Sequence, residues 1–316
     1  MEGCDLSFML EEEFRAFTID DQTLYNAYHT LSGSRLSDMC FNSRIAWEPG
    51  FHYRHAVVEG AFCLISDGGV FTIPHMVMPL GTYGPDGLAA ILDKVLPIFE
   101  ARGWPMTMMY IDESKLPVVQ SLESRGFTVR TSCNPDFSDY LYDGESLRSL
   151  TGKALHAKRN HMNRFLRDYP DYDYKRIEAS DGPACLSIVR EWCEEKEIDR
   201  FDLRLSDYVP IQRIFEHFDR LDVRGGVIRM GDSVHAFALG SMLPDGGAVI
   251  HFEKADYRFN GLYAVINNTV LCMEFPDAVQ VNREEDMGME GLRKAKQSYM
   301  PIAMADKYNA TVCRAG

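Results

Sequence analysis

The stretch Ala248-Val-Ile-His-Phe-Glu253 decides how the second half of this chain is expected to fold. The turn sequence Pro244-Asp-Gly-Gly247 precedes it, and its run of apolar and β-branched side chains predicts a strand. Lys254 to Gly261 predicts a polar loop, and apolar residues recurring at helical spacing predict a helix over 262–275. A second short strand, Ala278-Val-Gln-Val281, follows. Strand, glycine-containing loop, helix and strand together predict a right-handed crossover unit, which joins two parallel strands.

The loop of this crossover unit is a candidate anion-binding site, because free backbone N–H groups and the helix dipole meet at the start of its helix. Arg258-Phe-Asn-Gly-Leu-Tyr263 lies on the loop and resembles the Arg/Gln-x-x-Gly-x-Gly/Ala segment with which GNAT-type acyltransferases hold the pyrophosphate of coenzyme A. The resemblance implies that Arg258, Asn260, Gly261 and Leu262 bind the cofactor. Tyr263 stands where that family has a small residue, which argues against unmodified coenzyme A chemistry. The alternative is an ordinary helix start with an arginine on the surface.

Two longer stretches are less generic, and both lie in the second half of the chain. They are Val281 to Pro301, and Lys153 to Phe165 followed by Tyr169-Pro-Asp-Tyr-Asp-Tyr174. Together they resemble a bacterial family of uncharacterised proteins related to the C-terminal domain of phosphatidylglycerol lysyltransferase. The resemblance covers most of the chain, most clearly from about Asp139 to Pro301. It implies an α+β fold of two tandem GNAT-like domains, each a mixed twisted sheet flanked by helices.

The length of 316 residues also favours two domains. We expect an N-terminal GNAT-like domain over residues 1–150 and a C-terminal one, with the site, over 151–316. In the first half, strands over 55–66 and 70–77 are expected to form a hairpin at Asp67-Gly-Gly69, and 138–143 to pair at the edge of that sheet. The segment that would hold phosphate there, Pro79 to Gly84, has two glycines but no basic residue. This half is therefore interpreted as degenerate and structural.

Composition and charge limit the possible partners. The net charge is −14, with 10 Lys/Arg against 21 Asp/Glu in residues 1–150 and 23 against 26 in 151–316. Such a chain gains no general attraction to nucleic acid or anionic membranes, so any such contact must be local. No apolar run approaches the ~18 residues of a membrane span, and Met1 to Phe14 lacks a signal pattern, which favours a cytoplasmic protein. Eight scattered cysteines without a Cys-x-x-Cys pair predict no metal site.

A basic segment, expected to be a helix over 152–168, is the place where such a local contact could form. It carries five Lys/Arg and two histidines against Asp168 alone, which suits a tRNA or a lipid phosphate. The family pattern is densest at Lys158, Arg159 and Asn160, so these are candidate substrate contacts. The alternative is a solvated helix face that pairs with the acidic first half.

The candidate catalytic carboxylates are Glu253, at the end of its strand, and Asp286, in the segment Asn282-Arg-Glu-Glu-Asp286 that ends the neighbouring strand. Side chains at these strand ends face the open cleft of a sheet, where a carboxylate can take the proton of an attacking amine or hydroxyl. Asn282, Arg283 and Lys296 are candidates to bind the acceptor. The alternative is a structural clamp between Arg283 and Asp286. No Ser-His-Asp or Cys-His nucleophile is evident, and GNAT-type transfer needs none.

The expected function is transfer of an acyl or aminoacyl group from an activated carrier to an amine or hydroxyl. The resemblance implies an aminoacyl-tRNA donor, whereas a coenzyme A thioester would make the protein an N-acetyltransferase of a small molecule or peptide. Phosphatidylglycerol lysyltransferases carry a membrane-spanning half that this sequence lacks, which argues against phosphatidylglycerol as a routine acceptor. The acceptor classes left open are a small molecule, a peptide and a lipid headgroup. A third possibility is a non-catalytic ligand-binding module on the same fold.

Overall fold

A computed structural model describes residues 14–316, which form two compact units. The first unit runs to Pro135 and regains Asp306–Gly316, and the second unit is Asp136–Ala305. The boundary thus lies at 135/136, where the sequence suggested 150/151. The expectation about a signal pattern over Met1 to Phe14 falls almost wholly outside the described residues. Within those residues, no helix combines the length and apolar character that crossing a membrane requires.

Strands form one sheet in each unit. Over residues 14–316 they are β1 (Arg15–Ala16), β2 (Arg54–Val58), β3 (Ala61–Ser66), β4 (His75–Val77), β5 (Thr107–Asp112), β6 (Phe127–Cys133), β7 (Asp139–Asp143), β8 (Asp173–Arg176), β9 (Arg224–Met230), β10 (Ser233–Met242), β11 (Ala248–Ala255), β12 (Gln280–Asn282), β13 (Ala303–Ala305) and β14 (Lys307–Arg314). The order in the first unit is β1-β2-β3-β4-β5-β14-β6, and in the second β13-β7-β12-β11-β10-β9-β8.

Helices flank both sheets. Over the same residues they are α1 (Gln22–Ser32), α2 (Phe41–Phe51), α3 (Pro85–Glu100), α4 (Leu116–Gln120), α5 (Gly144–Ser149), α6 (His156–Asp168), α7 (Gly182–Glu195), α8 (Tyr208–Glu216), α9 (Leu262–Glu274) and α10 (Glu290–Gln297). The basic segment therefore begins its helix at His156 rather than near residue 152. This content confirms the α+β class.

Each unit repeats one crossover, a strand followed by a helix and a parallel strand. In the first unit it is β4–α3–β5, and in the second it is β11–α9–β12, as predicted. The apolar stripes of α3 and α9 are buried in the two separate cores. Burial of such a stripe is what holds an amphipathic helix on its sheet.

Two expectations about the strands of the first half were wrong. β3 and β4 pair antiparallel across the segment with Asp67-Gly-Gly69, as expected, but β4 begins only at His75, so the connection is longer than a tight turn. The expected strand over 55–66 is instead two strands, β2 and β3, which form a hairpin that turns at Glu59-Gly60, between paired Val58 and Ala61. Both turn residues have positive φ, the geometry that a two-residue hairpin needs. Strand β7 does not pair with β6 but lies between β12 and β13 in the second sheet. Its predicted place beside β6 is taken by β14, which the sequence pattern had left in the second domain.

Candidate functional site

The two parallel strands of the second unit separate at their carboxyl ends. β11 and β12 pair only at Ala248–Val281 and Val249–Asn282, although β11 continues to Ala255. Beyond Val249 the edge of β11 no longer pairs with β12. A crevice at the carboxyl ends of parallel strands is where open sheets bind ligands.

A β-bulge at His251 directs Glu253 toward the helix α9. In the pairing with β10, Ile250 and Phe252 face successive partners and His251 is the extra residue. Without the bulge, strand alternation would give Glu253 the face opposite to Ile250. With it, both face α9: Ile250 lies in the core that α9 covers, and Glu253 contacts Asn267 of that helix.

Glu253 forms a largely buried ion pair with Arg283, the residue after β12. Arg283 Nη2 lies 3.1 Å from Glu253 Oε1 and 3.3 Å from Oε2, and both side chains are 12% exposed. Asn267 Nδ2 also donates to Glu253 Oε2 at 2.7 Å. The structure thus brings together two predicted site residues and adds Asn267, which the sequence analysis had not singled out.

Lys158 brings a second cation to the pair. Its Nζ lies 4.2 Å from the centre of the Tyr299 ring, and the Arg283 guanidinium lies 4.7 Å from the same ring and 5.7 Å from that of Tyr142. Burial and the neighbouring Arg283 lower the pKa of Lys158, whereas Glu253 raises it. Burial raises the pKa of Tyr299 to about 12, so this phenol stays protonated near neutral pH. Lys158 and Arg283 thus pack on the same Tyr299 ring, and two cations lie near one carboxylate.

Asn282 and Lys296 support the Arg283 segment from beneath. Asn282 donates to Asp139 and accepts from the backbone N–H of Glu284. Lys296, on α10, donates from Nζ to the carbonyl oxygens of residues 283, 284 and 285. Burial lowers the pKa of Lys296 to about 8. Their contacts are those of residues that position a loop, and both side chains are buried.

Asp286 faces away from the pair formed by Glu253 and Arg283. Its carboxylate accepts from Arg293 through both oxygens, at 2.8 and 2.9 Å, from Tyr140 Oη at 2.6 Å and from the Gly288 N–H at 2.9 Å. The hydrogen bonds from Arg293 hold the pKa of Asp286 well below its usual range. A buried carboxylate with this many hydrogen-bond donors is a poor proton acceptor, so Asp286 is not suited to act as the base. The alternative clamp between Arg283 and Asp286 is not formed, because each pairs with another residue.

Arg159 and Asn160 make local contacts on α6. Arg159 Nη1 donates to the Leu150 carbonyl at 2.5 Å, which ties the start of α6 to the preceding chain. Asn160 is exposed and lies 3.3 Å from His156, one helical turn earlier. Of the three residues predicted in this segment, only Lys158 reaches the Glu253–Arg283 pair.

The Arg258 loop is occupied by its own contacts. Arg258 donates to Asp256 through Nε and Nη2, both at 2.8 Å, so its planar fork is already paired. Gly261 has φ of +95°, and a Cβ there would stand 2.2 Å from the His161 carbonyl oxygen of α6. Glycine is thus required for close packing of α6 on the start of α9. Asn260 is exposed and Leu262 is buried in the core.

A cavity of about 400 Å³ opens beside this loop, on the other face of β11. Lys254, next to Glu253, turns to that face, where its Nζ lies 2.7 Å from Asp207 and packs on Trp192. The lining has both Lys254 and Arg258, but it also includes four carboxylate side chains: Glu191, Glu195, Asp232 and Asp256. This balance disfavours a polyanion.

The structure does contain a serine, a histidine and a carboxylate in hydrogen-bonded sequence, which the sequence analysis had not found. Ser241 Oγ lies 2.9 Å from His251 Nε2, and His251 Nδ1 lies 3.0 Å from Glu284 Oε1. Ser241 is 2% exposed, so a substrate carbonyl cannot reach it. The three side chains instead fix the bulge at His251 and the segment after β12.

Two of the three missed residues carried a usable signal. Asn267 interrupts the apolar stripe of α9, where an amide needs a polar partner. Tyr299 belongs to the Val281 to Pro301 stretch already singled out as less generic. Tyr142 had no such signal, because its strand was expected in the other sheet.

Comparison with known proteins places the chain in a family. The family model described as phosphatidylglycerol lysyltransferase, C-terminal, matches residues 32–311. An uncharacterised protein of Mycoplasmoides gallisepticum is 23% identical over 180 residues, 54% of this chain and 55% of that protein, so the chain spans about half the length of this curated relative.

Two crystal structures extend the comparison. A conserved protein of unknown function from Bacteroides thetaiotaomicron is 28% identical with a TM-score of 0.86, over 95% of this chain and 99% of that one. The C-terminal domain of a protein assigned as a lysylphosphatidylglycerol synthetase, from Agrobacterium fabrum, is 16% identical with a TM-score of 0.63, over 93% and 92%, and shows the fold alone. Since the family model covers most of the chain and the two mixed sheets have the expected GNAT-like architecture, this protein belongs to the family of phosphatidylglycerol lysyltransferase C-terminal domains.

Proposed function

We propose that this protein transfers an aminoacyl group from an aminoacyl-tRNA to an amine or hydroxyl acceptor. The observation that carries the proposal is the Glu253–Arg283 pair at the separated ends of β11 and β12, with Lys158 beside it. Charged side chains that cluster in a sheltered crevice are typical of catalytic sites. The reaction class is inferred from the family, and the role of each residue is inferred from the contacts of its side chain.

Glu253 is the proposed general base. It is the carboxylate of the cluster, and its two oxygens are oriented by Asn267 and Arg283. The acceptor nitrogen or oxygen attacks the ester carbonyl carbon and loses a proton to Glu253. The bond from that carbon to the ribose oxygen then breaks, and the proton passes to the leaving oxygen. Such positioned proton transfer contributes about 10²–10⁴-fold in rate.

Arg283 and Lys158 are proposed to stabilise the negative charge of the reaction. Arg283 Nη1 is buried and donates to no atom among the described residues, so this N–H remains available to a developing oxyanion. Lys158 lies half-buried beside it and keeps its ammonium in reach of a phosphate or carboxylate. A preorganised donor of this kind costs no rearrangement when the charge develops.

The donor is proposed to be tRNA rather than coenzyme A. The Arg258 fork is paired with Asp256, and the cavity beside it is rich in carboxylates, which together disfavour the coenzyme A pyrophosphate. In contrast, Arg164 and Arg167 are exposed on α6, the helix that brings Lys158 to the site, and Lys153 is exposed just before it. Arg164 and Arg167 share a single exposed carboxylate, Asp168. Cations along one helix suit a nucleic acid backbone.

The first donor to test is lysyl-tRNA, because lysyl transfer is what the family description names. The decisive experiment pairs tRNA binding at increasing salt with discharge of lysyl-tRNA in the presence of phosphatidylglycerol vesicles, small amines or peptides. Calorimetric titration with coenzyme A and acetyl-coenzyme A runs in parallel. We expect tRNA binding and discharge, and no heat from either coenzyme.

Lys158→Ala is expected to weaken tRNA binding and to lower the salt dependence by about 0.7 in log–log slope, the value for one single-strand phosphate contact. Lys175→Ala is the matched control, since this exposed lysine on β8 pairs with Asp173. Coenzyme A binding that disappears in Arg258→Ala, without discharge of tRNA, would instead make the protein an acetyltransferase. Binding of tRNA without discharge to any of these acceptors would indicate a non-catalytic binding module.

A further inference from the structure

The cavity of about 400 Å³ beside the Arg258 loop lies outside the proposed reaction site. It is on the face of β11 opposite to Glu253, and its walls are α7, the turn between β9 and β10, and the segment that leads from β11 into α9. Its volume suits a small organic molecule, since ligand pockets have volumes of about 300–1,000 Å³. The proposed transfer reaction makes no use of it.

The two cations of the cavity lining are already paired with carboxylates. Arg258 donates to Asp256 through Nε and Nη2, both at 2.8 Å, and its Nη2 lies 3.4 Å from Glu191. Lys254 Nζ lies 2.7 Å from Asp207. Neither cation is therefore available to neutralise a further carboxylate of the lining or to bind an anionic ligand.

Two lining carboxylates have no cation of their own. Glu195 ends α7 and Asp232 lies in the turn between β9 and β10, and both are exposed. Among residues 14–316, neither carboxylate forms an ion pair or a hydrogen bond. Four carboxylates against two cations give the lining a formal charge of −2. A cavity of one sign raises the local concentration of ligands of the opposite sign, so this one favours a cation.

Three aromatic side chains add ring faces to the lining: Trp192, Tyr257 and Tyr263. Lys254 Nζ lies 5.1 Å from the centre of the Trp192 ring, so this ring already has a cation on it. Tyr257 and Tyr263 are 65% and 43% exposed, and no cation among the described residues packs on either ring. Aromatic faces attract cations to within about 6 Å of the ring centre, and they also accept apolar methylene groups.

The arrangement of the carboxylates distinguishes an organic cation from a metal ion. A divalent metal ion needs several oxygen or nitrogen atoms that converge on one point. Among residues 14–316, no three ligand atoms of the cavity lining come close enough together to share an ion. Separated carboxylates with ring faces instead fit a longer molecule that has a positive charge and an apolar body.

We propose that this cavity binds an alkylammonium ligand, with its charge attracted to Glu195 and Asp232 and its methylene chain on the rings of Tyr257 and Tyr263. A free diamine and the lysine side chain of a peptide share this chemistry. The proposal goes beyond the transfer reaction and does not depend on it, because the cavity and the Glu253–Arg283 pair lie on opposite faces of β11.

Calorimetric titration of the full chain tests the proposal with cadaverine for the free diamine, Nα-acetyl-lysine N-methylamide for the peptide side chain, and glutarate. Glutarate has the carbon chain length of cadaverine and the opposite charge. We expect at least one amine to bind at least ~10-fold more tightly than glutarate, and to bind more weakly as salt rises, because exposed charges are screened. The tighter of the two amines identifies the source of the ligand. Binding of neither amine, or equal binding of glutarate, would overturn the proposal.

The double variant Glu195→Gln/Asp232→Asn removes both charges with little change in size. We expect it to weaken amine binding at least ~5-fold, and Tyr257→Leu to weaken it about 3-fold. Glu194→Gln is the matched control, because it removes the same charge from α7 outside the lining, where Glu194 lies 3.9 Å from Arg190. Amine binding that is unchanged in the double variant would contradict the proposal.

Glu253→Gln tests where the amine binds. Because Glu253 faces the other side of β11, amine affinity should stay within about twofold of the wild type, which is less than the effect of one exposed ion pair at its strongest. Loss of amine binding in this variant would place the ligand at the Glu253–Arg283 pair and overturn the proposal. Failure of the proposed function is recognised separately, because lysyl-tRNA would then not be discharged whether or not the amines bind.

Discussion

Arg44 in the first unit and Arg283 in the second are both buried arginines packed against two tyrosine rings, yet their surroundings differ. Arg44 is 3% exposed, lies 4.1 Å from the Tyr110 ring and 5.3 Å from that of Tyr53, and donates to the Tyr53 hydroxyl. No carboxylate among the described residues lies within hydrogen-bond distance of its guanidinium. Arg283 instead shares a carboxylate with an amide and has Lys158 nearby.

This difference separates an arginine that fills a core from one suited to chemistry. Tyr110 lies on β5, the second strand of the β4–α3–β5 crossover, and the Arg44 guanidinium packs on its ring. Arg44 therefore contacts the crossover of the first unit, which corresponds to the crossover that carries the site in the second unit. In the first unit, aromatic rings surround the Arg44 guanidinium, and among the described residues no carboxylate lies within hydrogen-bond distance of it to act as a base. The comparison supports the interpretation of the first unit as structural, which stays a proposal.

The largest expected effect comes from removing the base that only the second unit has. Glu253→Gln keeps the size of the side chain but cannot accept a proton near neutral pH. We expect single-turnover discharge of lysyl-tRNA to slow by about 10²–10⁴-fold. Glu274→Gln is the control, because Glu274 ends α9, the helix whose Asn267 contacts Glu253, and forms an ion pair with Arg176 at 2.7 Å. Rates for Glu253→Gln within threefold of the wild type would refute the assignment.

Truncating the two arginines tests the comparison directly. Arg44→Ala leaves a cavity between aromatic rings, and we expect the free energy of unfolding to fall by about 3–5 kcal/mol. Arg283→Ala should cost less stability, because its surroundings are more open, but should abolish discharge. Urea unfolding and discharge per folded molecule give the two readouts. If Arg44→Ala does not fold, Arg44→Met replaces it, and loss of activity in a folded Arg44 variant would contradict the structural role.

A smaller effect is expected for Asp286→Asn, which separates support from catalysis within the second unit. The change weakens charge-assisted hydrogen bonds from Arg293, so we expect a loss of about 2–3 kcal/mol in urea unfolding, with discharge per folded molecule unchanged. Asp86→Asn, at an exposed pair with Arg125, should change stability by less than ~1 kcal/mol. A large fall in kcat for folded Asp286→Asn would restore it as a catalytic candidate.

The last effect concerns Lys296, the lysine beneath the Arg283 segment, and appears as a pH dependence. The folded-state pKa of Lys296 is about 8, below the ordinary 10.5, so the unfolded chain binds more protons between these values. The contribution of Lys296 to the free energy of unfolding therefore rises with pH over this range, by at most ~1.4 kcal/mol per pH unit.

Lys296→Met should remove this rise, measured by urea unfolding from pH 7.5 to 10. Lys294→Met is the matched control, because this lysine lies on the same helix, is exposed and pairs with Glu290. An identical pH slope in Lys296→Met and the wild type would show that the buried ammonium does not titrate in this range.

Much of the second unit was predictable because its signals are local. A strand at 248–253, a helix over 262–275 and a following parallel strand were expected from periodicity and turn residues, and the structure has the first two as Ala248–Ala255 and Leu262–Glu274. Glu253, Arg283 and Lys158 were among the candidate residues, but so were Asp286 and Arg258, whose side chains are occupied elsewhere. Residue type alone cannot separate these cases, because a carboxylate or guanidinium looks the same whether its partner is a ligand or a neighbour.

The sequence by itself determined the crossover around 248–281 and the basic helix, because each depends on periodicity within a few turns of chain. The two-domain α+β fold was implied by the family resemblance and the length. Only the tertiary structure decided that β14 returns to the first sheet, that β7 joins the second, and that the bulge at His251 turns Glu253 toward Asn267 and Arg283. These depend on pairing between residues far apart in the chain. A one-residue shift in such pairing reverses the face of every later side chain, and no local pattern records it.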